Sequence, residues 1–341
     1  MNTSYEPLIV LGVFFLIFSL VLNNTLLKYL KFQAPKKSKL QTRWNISKKP
    51  TLGGISFYIV FLIVFVYTSH PMFSLLLPLS IAFGFGLIDD YFFLSPFLKL
   101  LGQSSVALLI GNEHTIHLVE SNIVNTVFTF FWIIGLMNAI NMLDNMDGIL
   151  ASTVLIILLI ALIIRSEESS LELNFYIASI IGALISFLFF NWQPAKMYMG
   201  DSGSQFLGAF LAWISIQYFW NFRELGVEGF QGRQFLIPVL SFIIPLIDTS
   251  TVIFFRMKRG ISPFIGGKDH LTHHLVYAGF SERQTVLFLS IISLLSGMII
   301  FFIEDILATN QWVSQCSWII AVYVGLVWMM LQIFYEKGIK S

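Results

Sequence analysis

The chain is predicted to be an all-α, polytopic integral membrane helical bundle of about 11 (10–11) transmembrane helices, a single domain over residues 1–341 with its polar loops on the cytoplasmic face. Two observations of composition and one of pattern carry that expectation. Of 341 residues, 56 % are hydrophobic and 11 % charged, against roughly 25 % charged residues in an ordinary soluble domain. So few charges cannot cover a water-facing surface of this size, whereas a bilayer accepts apolar side chains on the outside. The mean hydropathy of +0.79 agrees. The apolar residues also come in runs near 20 residues, the length that carries an α-helix through a hydrocarbon core about 30 Å thick.

Eleven runs can be followed in order. Leu8–Leu27 has no cationic cluster before it and no small-residue cleavage site after it, so it reads as a retained span rather than a leader. Leu52–Thr68 and Phe73–Leu94 follow. Pro96–Ile110 is short and holds Lys99, Gln103 and two serines, which predicts a helix packed inside the bundle. Ten spans remain if it does not cross. Ile123–Leu143, Ile149–Ile164, Leu173–Phe190, Ser204–Trp220, Phe235–Phe255, Val286–Phe302 and Trp318–Tyr335 complete the series. No repeat, low-complexity tract or long linker separates them. The single cysteine, Cys316, excludes an internal disulfide and a cysteine-based metal cluster, and reads as a small apolar filler.

Positive charge orients the bundle, because cytoplasmic connections carry excess Lys and Arg. The first connection holds Lys28, Lys31, Lys36, Lys37, Lys39, Arg43, Lys48 and Lys49 and no acid. Every second connection after it shares the bias: Lys99, Lys196, then Arg256, Lys258, Arg259, Lys268 and Arg283. The alternate set is acidic or mixed, with Glu113 and Glu120, Arg165 against Glu167, Glu168 and Glu172, Arg223 and Arg233 against Glu224 and Glu228, then Glu304 and Asp305. The N-terminus is therefore expected outside and the C-terminus inside. A net charge of +1 gives no reason to expect a nucleic-acid partner.

An ionisable group within a span costs about 2.5–3.5 kcal/mol on insertion scales, so its position is informative. Four polar groups fall on the cytoplasmic side. Asp89 and Asp90 end the third run; their side chains point about 100° apart, so one can hold a cation or a lysine while the other faces a ligand. Gly84 and Gly86 before them thin the helix for close packing. Asn138, Asn141 and Asn145 stand at i, i+3 and i+7, one face, with Asp144 and Asp147 beside it; the stripe serves a ligand or glues helices together. In Met199-Gly200-Asp201-Ser202-Gly203-Ser204-Gln205 the glycines admit close approach, and Ser202 with Gln205 fits a capping box. That helix N-terminus suits a phosphate, and Asp201 suits a hard cation such as Mg²⁺. His270, His273 and His274 fit one helical turn; zinc is a competitor, but the cationic loop around them favours a polyphosphate. Asp248, inside the ninth run, either pairs with a lysine or lines a cavity. His70, His114 and His117 read as outer-surface residues.

Lys48-Lys49-Pro50-Thr51-Leu52-Gly53-Gly54, Asp89-Asp90, Asn138 to Gly148, Gly200-Asp201-Ser202-Gly203-Ser204 and His270-Leu-Thr-His273-His274, in that order across about residues 45 to 280, resemble the polyprenyl-phosphate N-acetylhexosamine-1-phosphate transferases. The Asn-Met-Leu-Asp run and the histidine loop look closer to the undecaprenyl-phosphate GlcNAc-1-phosphate branch than to the phospho-MurNAc-pentapeptide branch. Asn145 stands where many members have glycine, and two residues rather than one separate His270 from His273. The resemblance implies an enzyme of the bacterial inner membrane, with its active site on the cytoplasmic face. It would move a sugar 1-phosphate from a UDP-sugar to undecaprenyl phosphate and release UMP, with Mg²⁺ or Mn²⁺ as cofactor. A homodimer is compatible with it. By the same resemblance Asp201 looks like the magnesium ligand, with Asp144 beside it, and Asp89 like the group that deprotonates or orients the lipid phosphate. Asp90, Asp144 and Asp147 look like surrounding acids, Tyr198 like a ring for uracil, and Asn138, Asn141, Gly200 and Ser202 like substrate contacts.

The residues fit that chemistry unaided. Phosphoryl transfer asks mainly for positioning and charge neutralisation, which Lys49, Lys99, Lys196, the histidines and a divalent cation supply. Direct in-line attack is the simpler route, with an aspartyl-phosphate intermediate as the alternative. Two rival classes are a transporter for nucleotide sugars or organic phosphates, which places polar groups at mid-bilayer and on both sides, and a CDP-alcohol phosphotransferase, whose DG-x2-AR signature lacks its arginine at Asp147-Gly148-Ile149-Leu150-Ala151-Ser152.

Overall fold

Each of the eleven apolar runs folds as helix in the structure, a computed structural model describing residues 5–30, 49–68, 72–165, 171–221, 232–262, 267–309 and 313–340. Expectations resting on Lys31 to Lys48, His70, Glu167, Glu168, Arg223, Glu224 and Glu228 lie outside these residues, as do those on the side chains of Arg165, Arg233, Glu304, Asp305 and Cys316. The helices are α1 (Glu6–Tyr29), α2 (Gly53–Tyr67), α3 (Phe73–Phe92), α4 (Pro96–Glu113), α5 (Asn122–Leu143), α6 (Ile149–Arg165) and α7 (Leu171–Asn191). Then come α8 (Gly200–Ile214), α9 (Leu236–Ser241), α10 (Ile243–Lys258), α11 (Leu271–Tyr277), α12 (Glu282–Thr309) and α13 (Val313–Lys340). Six of them, α1, α3, α5, α7, α12 and α13, are long and apolar enough to cross a membrane; α2 and α6 are shorter and apolar. The chain is an all-α, multi-pass membrane protein.

Two runs are not single α-helices. The eighth widens from α8 into a π-helix, Ser215–Trp220. The ninth breaks at Phe242 between α9 and α10, where Pro245 has no N–H to offer the Ser241 carbonyl. The fourth run also departs from expectation. Gly102, Gln103, Val106, Ala107 and Ile110 of α4 are buried, but Phe97, Leu98, Leu101 and Leu108 are exposed, so α4 lies at the edge of the bundle. Its polar groups find partners on one face, which leaves the other free to be apolar.

At the centre stands α8, buried from Ser202 to Ile214 and packed against α2, α3 and α5. Lipid tails are as apolar as leucine, so helices associate through close packing and interhelical hydrogen bonds. Phe57, Phe61, Phe187, Phe206, Phe210 and Trp213 fill the space around α8. Gly86 of α3 lets that helix lie directly on the backbone of Asp201 and Ser202, where a Cβ would collide; Gly84 faces open space and does not serve this contact.

Asp89, Asp90, Asp144, Asp147, Asp201 and the short helix α11 collect at one end of the bundle, where α3, α5 and α10 finish and α4 and α8 begin. Polar groups are not confined to that end. At the other, Asn125 accepts the Leu118 and Val119 N–H groups at 3.0 and 3.1 Å, His114 Nδ1 lies 2.7 Å from Gln217 Nε2, and Asn221 ties the His117 N–H to the Thr115 carbonyl. That far network is one of amides, backbone and one half-buried imidazole, and it closes loops.

Candidate active site

The first turn of α8 is capped from another helix. Asp90, at the end of α3, accepts the Asp201 N–H on Oδ1 at 2.8 Å and the Ser202 N–H on Oδ2 at 3.0 Å. A carboxylate here satisfies two orphan donors and sits at the positive end of the helix dipole. The capping box expected of Ser202 and Gln205 does not form: both lie inside α8, no side chain of its own loop caps it, and Ser202 Oγ is buried without a hydrogen-bond partner. Nor are those two N–H groups free for a phosphate. Gly200 holds φ +79°, and a Cβ there would meet the Asp90 carboxylate, so glycine is demanded twice over.

Asp89, the neighbour of Asp90, turns toward α4. Its Oδ1 accepts the Leu94 N–H at 2.7 Å, and its Oδ2 contacts Lys99 Nζ, which also lies 3.7 Å from Asp201 Oδ2. Lys99 and Asp201 are each about a third exposed, at 31 % and 32 %, while Asp89 is buried at 5 %. Asp89 and Lys99 also line a small pocket with Ala82, Phe85, Leu94, Met137, Gln103 and Gln205.

The asparagine stripe of α5 works as glue, each amide reaching a different element. Asn138 exchanges hydrogen bonds with Gln103 of α4 at 2.9 and 3.2 Å, and Gln103 also donates to Gln205 of α8. Asn141 accepts the Ser204 hydroxyl at 2.7 Å, and Asn145 accepts the Thr272 hydroxyl of α11 at 2.6 Å. Asp144 caps the end of α5, its N–H on the Asn141 carbonyl, next to the residue that holds α11.

Asp147 accepts the Ala195 N–H at 2.9 Å and lies 3.8 Å from Lys49 Nζ. Lys49 is brought there by backbone pairing: Leu52 and Gly53 donate to the Tyr198 carbonyl, Gly54 to Met199, and Tyr198 back to Pro50. Its ammonium lies 5.3 Å from the centre of the Tyr198 ring, which is buried. Lys196 is exposed.

His270, His273 and His274 lie on or beside α11 and face different partners. His270 Nδ1 lies 2.9 Å from Asp248 Oδ2, and Asp248 Oδ1 accepts the Leu271 N–H at 2.8 Å, so Asp248 pairs with a histidine rather than a lysine. Arg256 forks onto Asp269 at 2.8 and 2.6 Å; burial raises that carboxyl, but the guanidinium outweighs it and leaves Asp269 below its usual value. His273 is fully buried, and burial lowers its pKa to about 3. His274 stacks on Tyr335 of α13 with ring centres 3.6 Å apart, and burial lowers it to about 4. Sequence reasoning gave no site role to Gln103, Gln205, Thr272, Arg256, Asp269 or Tyr335. Polar spacing on α4 and α8 could have suggested the glutamine pair; nothing local marks Tyr335.

Asp89, Lys99, Asp201 and Asp90 therefore meet, with Lys49, Asp147 and Tyr198 forming a neighbouring cluster and the histidines a third, linked through Asn145. Among the described residues no three His, Cys, Asp or Glu side chains converge into a metal cage. Hard carboxylate oxygens sharing one lysine nevertheless fit Mg²⁺, which commonly takes one or two carboxylates and completes its shell with water and substrate phosphates.

Residues 72–219 match the family model described as glycosyl transferase family 4. The chain is 28 % identical over 302 residues to a probable undecaprenyl-phosphate N-acetylglucosaminyl 1-phosphate transferase of Bacillus subtilis, covering 84 % of this chain and 80 % of the relative. It is 30 % identical over 305 residues to the phospho-N-acetylmuramoyl-pentapeptide-transferase of Staphylococcus saprophyticus, covering 80 % and 91 %. The corresponding transferase of Halalkalibacterium halodurans is 30 % identical over 310 residues, covering 82 % and 90 %.

Proposed function

The chain belongs to glycosyl transferase family 4, and from that premise we propose that it transfers an N-acetylhexosamine 1-phosphate from a UDP-sugar to undecaprenyl phosphate, releasing UMP. The observation that carries the reading is the cluster of Asp89, Lys99 and Asp201 at one end of a membrane bundle. A polyprenyl tail stays in lipid while its phosphate reaches the ions, and the nucleotide sugar arrives from water.

Lys99 is the cation at the meeting point. Asp89 and Asp201 hold it from either side, so its charge stands where the two phosphates would repel each other. Asp90 fixes the backbone that carries Asp201, and Asp147 holds Lys49 near Tyr198, where a nucleotide would add charge and a ring. Asp201 with Asp89, and Asp144 as the further acid of the motif, would hold Mg²⁺ or Mn²⁺, which when bound neutralises diphosphate oxygens and stabilises UMP as leaving group. The lipid phosphate oxygen then attacks the sugar-bearing phosphorus in line, and the bond to UMP breaks. The site faces the cytoplasm, in the inner membrane of a bacterium.

Purified protein in lipid nanodiscs, given undecaprenyl phosphate, Mg²⁺ and a panel of UDP-N-acetylhexosamines, is expected to release UMP and form a lipid-linked pyrophosphoryl sugar. Asp201→Asn should reduce UMP release by at least a hundredfold. Donor uptake into liposomes without UMP release would replace this reading with transport.

A further inference from the structure

We infer that Asp248 is a positioning residue for the transfer reaction, acting through His270; the inference rests on the transferase reading above. Asp248 is 1 % exposed in the middle of α10, among Ile244, Ile247 and Val252, where a carboxylate has no solvent to face. Both of its oxygens are committed. Oδ1 takes the first N–H of α11, from Leu271, at 2.8 Å, and Oδ2 takes His270 Nδ1 at 2.9 Å. Whether His270 is neutral or charged, Nδ1 is then the nitrogen that donates to the carboxylate, and Nε2 is the one left for a ligand. The same contact sets the ring's direction and the start of the helix that carries it.

The other two histidines are otherwise engaged. His273 is fully buried with its ring centre 5.6 Å from that of His270, and His274 lies flat on Tyr335. His270 is thus the imidazole of the loop whose orientation is set by a dedicated carboxylate. Thr272, two residues on, is bonded to Asn145 between Asp144 and Asp147, which ties α11 to the acidic end of α5. The charged and titratable groups near His270 are Asp269, Lys268 and His273, with Arg256 bonded to Asp269. Asp269 is held by the Arg256 fork, which leaves Asp248 as the carboxylate at hydrogen-bond distance.

Asp248→Asn tests the inference because the amide cannot reproduce both bonds. With Oδ1 on Leu271 N–H, the NH₂ faces Nδ1 and forces the proton to Nε2; with the amide reversed, the Leu271 donor meets a donor. In nanodiscs the variant is expected to keep its KM for the UDP-sugar within about twofold while kcat falls at least tenfold. His270→Gln should fall similarly, and the double variant no further than His270→Gln alone. ¹⁵N-histidine NMR of the wild type, which needs no variant to fold, should show a hydrogen-bonded Nδ1–H for His270. A His270 protonated on Nε2 alone, an Asp248→Asn variant with unchanged kcat, or losses that multiply in the double variant would overturn the inference alone. A wild type that releases no UMP from any donor overturns the transferase reading beneath it.

Discussion

Asp90 shows what one side chain can hold in place. Its two oxygens serve the N–H groups of Asp201 and Ser202, so it sets where the Asp201 carboxylate stands without needing to touch a ligand. Asp90→Asn keeps one acceptor and replaces the other with a donor. Losing one charge-assisted bond at a buried helix start is expected to cost about 1.5–3 kcal/mol of stability. Thermal unfolding in detergent should show the drop, together with reduced UMP release at saturating Mg²⁺. The histidines give a pH prediction. His273 and His274 have pKa values lowered to about 3 and about 4 in the fold, against 6.5 as the ordinary value. On acidification below about 6.5 the unfolded chain takes up protons that the folded chain refuses, so stability falls as pH drops toward 4. His274→Phe, which keeps the stack on Tyr335 and removes the proton site, should flatten part of that decline in a series of unfolding curves.

Among the elements, α3 and α8 have the most specific contact. Gly86→Ala places a methyl against the Asp201 and Ser202 backbone, which cannot give way as a flexible side chain would. The expected result is a lowered melting temperature and activity loss, whereas Gly84→Ala, facing open space, should match wild type in both measurements. The helices themselves were legible in the sequence because length and hydropathy are local properties. So were the residues of the ion cluster, since charge inside an apolar run stands out. Partners were less legible. The capping box was a sound local pattern overridden by Asp90 from another helix, and the α5 stripe gave no sign of which neighbour each amide would find. Pro245 marked a break in the ninth run that hydropathy alone smooths over.

For the whole molecule, the division of carboxylates and amides between its two ends makes a topological claim. Asp89, Asp90, Asp147, Asp201 and α11 share one end, while Asn125, His114 and Asn221 close the other. With Cys316 replaced by serine the chain has no thiol, so single cysteines can report sides. Cysteine at the exposed Ser95, beside Asp89, should react with a membrane-impermeant maleimide only in inside-out vesicles; cysteine at the exposed Ser121 should react only from the opposite face. Equal labelling of both from one side would separate the ion cluster from the cytoplasm and from its nucleotide donor.

Because α8 borrows its cap from α3, two positions more than a hundred residues apart are bound to a common fate in evolution. A lineage that loses the carboxylate at Asp90 relaxes the demand for glycine at Gly200 only on the side facing it, since the positive φ persists. Glycine is therefore expected to persist at Gly200 whatever stands at Asp90, and an alignment of related chains should show that column departing from glycine only where Asp90 has already changed.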